Sequence, residues 1–195
     1  MASASPAVTI GAMQVAHLPD VLGLGHRAFD TAVKPYTGWS LSAVAAHFEA
    51  SHPACFVALQ DDALCGFVLG SITFEQRTDW GYLEWIAVAP SARGQGVAGR
   101  LVTHCRDRLT EFGATAVITD VEARNEASTT LMNRHGFQTR ATVNLLVCTV
   151  TSAAAGDSPP HLSRHERAQP SVPQRTAADE NHPERRACPI SNRFA

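Results

Sequence analysis

The stretch WIAVAPSARGQGVAGRLV, residues 85–102, sets Gly94, Gly96 and Gly99 beside Arg93, where an apolar run gives way to a helical pattern. Main-chain N–H groups at a helix start have no intrahelical partner and lie at the positive end of the helix dipole. Glycine lets an anion approach them closely, and an arginine adds a full charge. The chemistry this stretch suits is therefore the cradling of a phosphate. A Walker loop needs Gly-Lys-Ser or Gly-Lys-Thr after its last glycine, and neither is present here. Residues 94–99, GQGVAG, do fit the G-x-G-x-x-G of a dinucleotide turn, with Asp120 ending the next strand. Against that reading, residues 89–93 intervene between strand and first glycine, and only about half of a two-part dinucleotide fold fits after residue 82. A tight turn that holds nothing is the plainer alternative, and the adjacent Arg93 argues against it.

The elements that must position this loop alternate along residues 1–150. AVTIGAM reads as a strand and LPDVLGLGHRAF as a helix, while GWSLSAVAAHFEA offers Ser40 or Ser42 as the cap of a second helix. ACFVALQ and ALCGFVLGSITF read as a hairpin turning at Asp61 and Asp62, and YLEWIAV as the next strand. After the glycines, Val97, Leu101, Cys105, Leu109 and Phe112 recur at helical spacing, and Gly113 ends the run. TAVITDV is then a strand, Asn125 a cap for a short helix closing at Gly136, and FQTRATVNLLVCTV extended structure. Strand, helix and strand around the loop form a β-α-β unit with parallel strands, so with the preceding hairpin the sheet is mixed.

The totals set outer bounds. The chain has 195 residues, 45% of them hydrophobic and 17% charged, with a net charge of −2 that gives no electrostatic ground for binding nucleic acid or an anionic membrane. Five cysteines at wide, irregular spacing, with no C-x-x-C pair, suggest neither a metal site nor a disulfide framework, and fit reduced thiols in the cytoplasm. The start lacks a secretory pattern, and no apolar run approaches the roughly 18 residues of a membrane span. From residue 151 onward the chain carries six of its eleven prolines and few large apolar residues, so 151–195 reads as a disordered tail behind a single domain at 1–150.

With these elements in place, the chain resembles the GNAT superfamily of acyl-CoA-dependent N-acyltransferases. That family's pyrophosphate loop is Gln/Arg-x-x-Gly-x-Gly/Ala, and Arg93-Gly94-Gln95-Gly96-Val97-Ala98 fits it. The preceding IAVAP resembles the family's strand end, and NEASTTLMNRHGF its second cofactor segment, with Asn125, Leu131, Gly136 and Phe137 in register. The resemblance covers about residues 8–148 and is strongest over 80–137. It implies an α/β (α+β) fold with a mixed, centrally splayed sheet flanked by helices, and acetyl-CoA as co-substrate. The main chain of about 94–99, Gly99 included, would hold the pyrophosphate. Ile86, Ala87 and Val88 would lend backbone to the pantetheine arm, and the Val88 N–H would face the developing oxyanion.

Amide formation from a thioester needs a neutral amine, a stabilised oxyanion and a proton for the thiolate. Glu84 is the one charge in YLEWIAV, and regular strand alternation puts Tyr82, Glu84, Ile86 and Val88 on one side. Burial there raises a carboxyl toward neutrality, which suits a general base, and the family often places base or water-binding residues at positions matching Tyr82 and Glu84. The plainer alternative is a Glu84 held by an arginine or exposed on a sheet face. Where many family members carry an acid tyrosine this chain has Met132, which leaves the acid unassigned. His135 reads as a cap or surface residue and Cys105 as packing. DTAVKPYTGWS, residues 30–40, matches the family's usual acceptor loop, where Tyr36 and Trp39 would line the amine site or simply pack down. Only fifteen residues of the domain, 136–150, remain for the strands that usually form part of the family's acceptor pocket, so the acceptor site is open or completed by a second subunit, as in a homodimer. The expected activity is N-acetyl transfer to a small-molecule or peptide amine, and the rival class is a non-catalytic acyl-CoA-binding sensor.

Overall fold

The computed structural model describes residues 7–30 and 38–148. The chain divides into two units, Met1–Thr142 and Val143–Ala195, and the sheet and site described below belong to the first. Strands β1 (Val8–Ala12), β2 (Phe56–Gln60), β3 (Ala63–Ser71), β4 (Trp80–Val88) and β5 (Ala116–Ile118) form one sheet in sequence order. The first four are antiparallel neighbours and β5 runs parallel to β4, so the sheet is mixed as expected. This order is not that of a doubly wound dinucleotide fold, whose strands are parallel and cross over.

Local chemistry explains most element ends. Asp61 and Asp62 both take positive φ, 50° and 63°, which suits the two central positions of a tight hairpin turn whose twist matches its strands. Helix α1 (Leu18–Ala28) begins with proline in its first turn, and α2 (Leu41–Ser51) is capped by Ser40, whose Oγ accepts from the Ala43 N–H at 3.2 Å. Helix α3 (Val97–Glu111) gives way to Gly113 at φ 89°, and α4 (Glu126–Arg134) to Gly136 at φ 86°.

The two faces of the sheet are covered by different helices. Helix α3 buries Val97, Leu101, Val102, Cys105 and Leu109 against Phe56, Ala58, Val68 and Leu83. On the opposite face α1 and α2 bring Val21, Leu24, Trp39 and Val44 against Val57, Phe67, Leu69 and Ala87. Each large side chain fully removed from water in these clusters contributes about 1.5–3 kcal/mol. Phe112, expected on the buried face of α3, is 53% exposed because it lies past the last helical turn.

Strand β5 is shorter than expected. It pairs with β4 only at Trp80↔Ala116, Gly81↔Val117 and Tyr82↔Ile118, and beyond that point β4 continues for six residues without it. This is the central splay. Residues 137–148, expected to be extended strand, are neither helix nor strand. Their apolar residues do not alternate against a buried face: Val143, Leu145, Leu146 and Val147 are all exposed. The reading of 151–195 as a tail lies outside the described residues. Among the described residues no helix is long and apolar enough to cross a membrane.

Candidate active site

The open edge of β4 runs directly into the glycine loop. Ala89 N–H donates to Cys65 O at 2.8 Å, so antiparallel alternation turns the backbone groups of Ala87 toward β3. Those of Ile86 and Val88 point the other way, into the gap that β5 leaves. The Val88 carbonyl accepts from Arg93 Nε at 3.4 Å, which fixes the guanidinium at the junction of strand and loop. Ala87, expected to lend backbone to the cofactor, instead spends it on the sheet and its side chain on the α1/α2 core.

The loop itself has the geometry of an anion cradle. Gly94 and Gly96 take φ of 76° and 74°, and a Cβ built at either would meet nothing within 4 Å, so open space lies over both. Gly96 caps α3 without any side-chain bond, the first turn carries no acidic residue, and the first helical bond is Arg100 N–H to Gly96 O at 3.1 Å. The N–H groups of Val97, Ala98 and Gly99 therefore point out of a 15-residue helix with no partner in it. Gln95 folds back to donate to Ser91 O at 3.1 Å. Gly99 has a second reason to be small, since a Cβ there would stand 2.8 Å from His135 Nε2. Next to it, Gly96, Arg100, Thr103, His104 and His135 line an open hollow of about 390 Å³.

The acidic residue of β4 does not follow the expected alternation. Leu69 pairs with Trp85 and Gly70 with Leu83, so Glu84 is an extra residue in a bulge. Leu83, Ile86 and Val88 face α3, whereas Trp85 and Ala87 face α1 and α2. Glu84 turns toward α2, and its shared face with Ile86 and Val88 is thereby overturned. Its Oε2 lies 3.1 Å from His47 Nδ1 and accepts from Ser71 Oγ at 3.3 Å. Burial pushes its carboxyl up, but the hydrogen bond and charge of His47, with bonds from Ser71 and Trp85, outweigh burial and hold it below its ordinary value. The expected rise toward neutrality does not occur, because the partner is a histidine rather than empty apolar surface.

His47 is the site residue that sequence reasoning missed. Burial alone would lower its pKa; bonds to Cys55 and Glu84, with the Glu84 charge, outweigh that and raise it from 6.5 to about 10. The available signal was weak: the first of two titratable side chains in a mostly apolar helix, three residues after the buried Val44. Tyr82 sits at the apex of the splay, where its hydroxyl donates to Asp120 and its ring packs edge-on against Phe74. Asp120 thus ties β5 to β4 just where the two strands part.

The remaining expected residues separate into two groups. Asn125 caps α4, its Oδ1 accepting from Ser128 N–H at 3.0 Å, and Met132 is buried at 4% exposure against the α3 core. His135 ends α4 and packs onto α3, as the cap reading had it. Cys105 is core, and burial pushes its thiol up to about 12, so it offers no thiolate at neutral pH. Trp39 belongs to the core as well. It stacks on Phe67, donates Nε1–H to Leu22 O at 3.0 Å and lies so close to α1 that a Cβ on Gly25 would meet its ring at 2.1 Å. An amine-lining role for Trp39 is withdrawn, because its polar atom and its faces are already engaged. Tyr36 lies outside the described residues. No group of His, Cys, Asp and Glu among the described residues could hold a metal.

A family model described as Acetyltransferase (GNAT) family matches residues 25–137. The chain belongs to the GNAT family. It is 32% identical over 83 residues to N-alpha-acetyltransferase 30 of Schizosaccharomyces pombe, covering 42% of this chain and 55% of that one. It is 29% identical over 83 residues to N-alpha-acetyltransferase MAK3 of Arabidopsis thaliana, covering 43% and 44%. The chain thus spans about half the length of the curated relatives it matches. Among solved structures, the ribosomal-protein-S18-alanine N-acetyltransferase of Escherichia coli matches with a TM-score of 0.57 and 25% identity, over 68% of this chain and 78% of that one.

Proposed function

We propose that this GNAT chain transfers an acetyl group from acetyl-CoA to a primary amine by direct attack in a ternary complex. The observation that carries the reading is the pair of backbone donor sets that flank the glycine loop, Ile86 and Val88 on the open β4 edge and Val97, Ala98 and Gly99 in the first turn of α3. An extended thioester arm fits beside that edge, its diphosphate fits the loop, and the hollow beyond Gly96 offers room for the nucleotide end. The amine nitrogen would attack the thioester carbonyl, the C–S bond would break, and the proton lost by the amine would end on the thiolate. The Val88 N–H is the donor for the transient oxyanion. Glu84, turned to the α2 side, is the carboxylate that receives the amine.

Among acceptors we favour the α-amine of a peptide, since both curated relatives carry N-alpha-acetyltransferase names and the structural relative acts on an alanine N-acetylation target by its name. The test is acetyl-CoA turnover against a panel of peptides, polyamines and aminoglycosides, read by mass spectrometry. Acetylated peptide N-termini support the reading, and no transfer to any amine by folded protein overturns it. A second reading, an acyl-CoA-binding sensor, is favoured by Met132, whose buried thioether occupies the position of the family's acid tyrosine. Tight CoA binding without turnover would select it.

A further inference from the structure

The bulge in β4 turns a carboxylate onto α2, and the residue that meets it there has no role in the reaction as written above. His47 Nδ1 stands 3.1 Å from Glu84 Oε2, and its Nε2 stands 3.2 Å from Gly70 O. A carbonyl oxygen can only accept, so Nε2 carries a proton. An ionised carboxylate can also only accept, so beside it Nδ1 carries one too. The ring that satisfies both neighbours is an imidazolium. Glu84 is moreover the extra residue of the bulge on β4 and Gly70 stands at the slip on β3, so one ring from α2 clamps both strands where their pairing slips.

We propose that His47 is a positioning residue that stands as an imidazolium between Gly70 O and Glu84. It fixes the direction of the Glu84 carboxylate, keeps that carboxylate a weak base, and so restricts the acceptor to amines that release a proton near neutrality. The inference rests on the acetyl-transfer reading of the cleft and adds to it a cause for acceptor choice. At pH 7.5 a peptide α-amine is neutral about 200 times more often than a lysine side chain. A strong base in the site would erase much of that difference by deprotonating either amine after it binds. A carboxylate whose Oε2 is already engaged by a fixed cation and the Ser71 hydroxyl leaves the difference standing.

The groups facing the pair are few. Cys55, just before β2, faces His47, while Ser71 from β3 and Trp85 from β4 face Glu84. Both side chains are largely enclosed, at 14% exposure for His47 and 30% for Glu84. The Glu84 side chain keeps the more open access, as a group that meets a substrate must.

The experiment uses full-length protein with ¹⁵N-labelled histidine. In the wild type at pH 7.5, both His47 ring nitrogens are expected at imidazolium positions, and Glu84→Gln should bring its titration down toward the ordinary 6.5. A neutral-tautomer pattern for His47 at pH 7.5 overturns the proposal. In kinetics, His47→Gln should lose most activity at pH 6, approach the wild type at pH 9, and narrow the preference for α-amines over lysine about tenfold. Equal loss at every pH with unchanged preference assigns His47 to packing alone and overturns it. If the wild type acetylates no amine, the transfer reading fails while the ring nitrogens still report the imidazolium, so the two failures are distinguishable.

Discussion

The two sides of β4 are built by different means. On the α3 side the site is main chain: N–H groups at 86, 88 and 97–99 exposed by a splay and two left-handed glycines. On the α1/α2 side it is side chain: Glu84, His47 and Ser71, brought together from a strand, a helix and a neighbouring strand. A backbone site needs only that bulky residues be absent over a short stretch. A side-chain site needs long-range register to come out right. On the proposed reading the first side would recognise what every reaction of this kind shares, a diphosphate, and the second would be free to set the acceptor.

Four substitutions or titrations sharpen that contrast, beginning with the largest effect. Glu84→Gln should lower kcat/KM about 10²–10³-fold at pH 7 and less at pH 9, with CoA affinity unchanged, since the variant touches only the acceptor side. Steady-state assays at both pH values check this. Gly96→Val should do the reverse, weakening CoA binding about 10- to 100-fold, the loss of one or two charge-assisted hydrogen bonds, as read by calorimetry. Its His47 ring signals should stay where they are.

Gly70→Ala tests the seam between the sides. A Cβ there would stand 2.6 Å from Cys105 Sγ and 2.9 Å from Ala54 O, so urea unfolding should show a loss of about 1–3 kcal/mol. The smallest effect is a pH trend in stability. The folded pKa of His47 is raised, so its contribution is full below pH 6.5 and is lost as pH rises toward about 10. The folded pKa of Glu84 is lowered, so its contribution is present above about 4.5 and is lost as pH falls below that. Between pH 7 and 9 the wild type should lose stability relative to a His47→Gln, Glu84→Gln double variant, by roughly 1 kcal/mol per pH unit. Thermal unfolding at fixed ionic strength measures it.

How much of this was legible in the sequence follows the same division. Gly94, Gly96, Gly113 and Gly136 are visible as residues, and each marks a left-handed turn, so the loop and three helix ends could be read directly. Ser40 and Asn125 announced their caps in the same local way. What failed was anything that depends on register. One slipped pair between Leu69 and Gly70 moved Glu84 off the face that simple alternation assigns it, and with it the expected rise in its pKa. His47 was invisible because its partner Glu84 lies on a strand 37 residues away in the chain, not among its neighbours in α2. Trp39 was left between two roles because an aromatic in a loop looks alike whether it lines a pocket or closes a core. Only the bare Gly25 opposite it reveals the second case.

The most direct test of the account is amide hydrogen exchange with and without CoA. The account predicts slowed exchange at Ile86, Val88 and residues 97–99, with α2 unchanged. Binding that protects α2 or β1 while leaving those five amides as they were would contradict it.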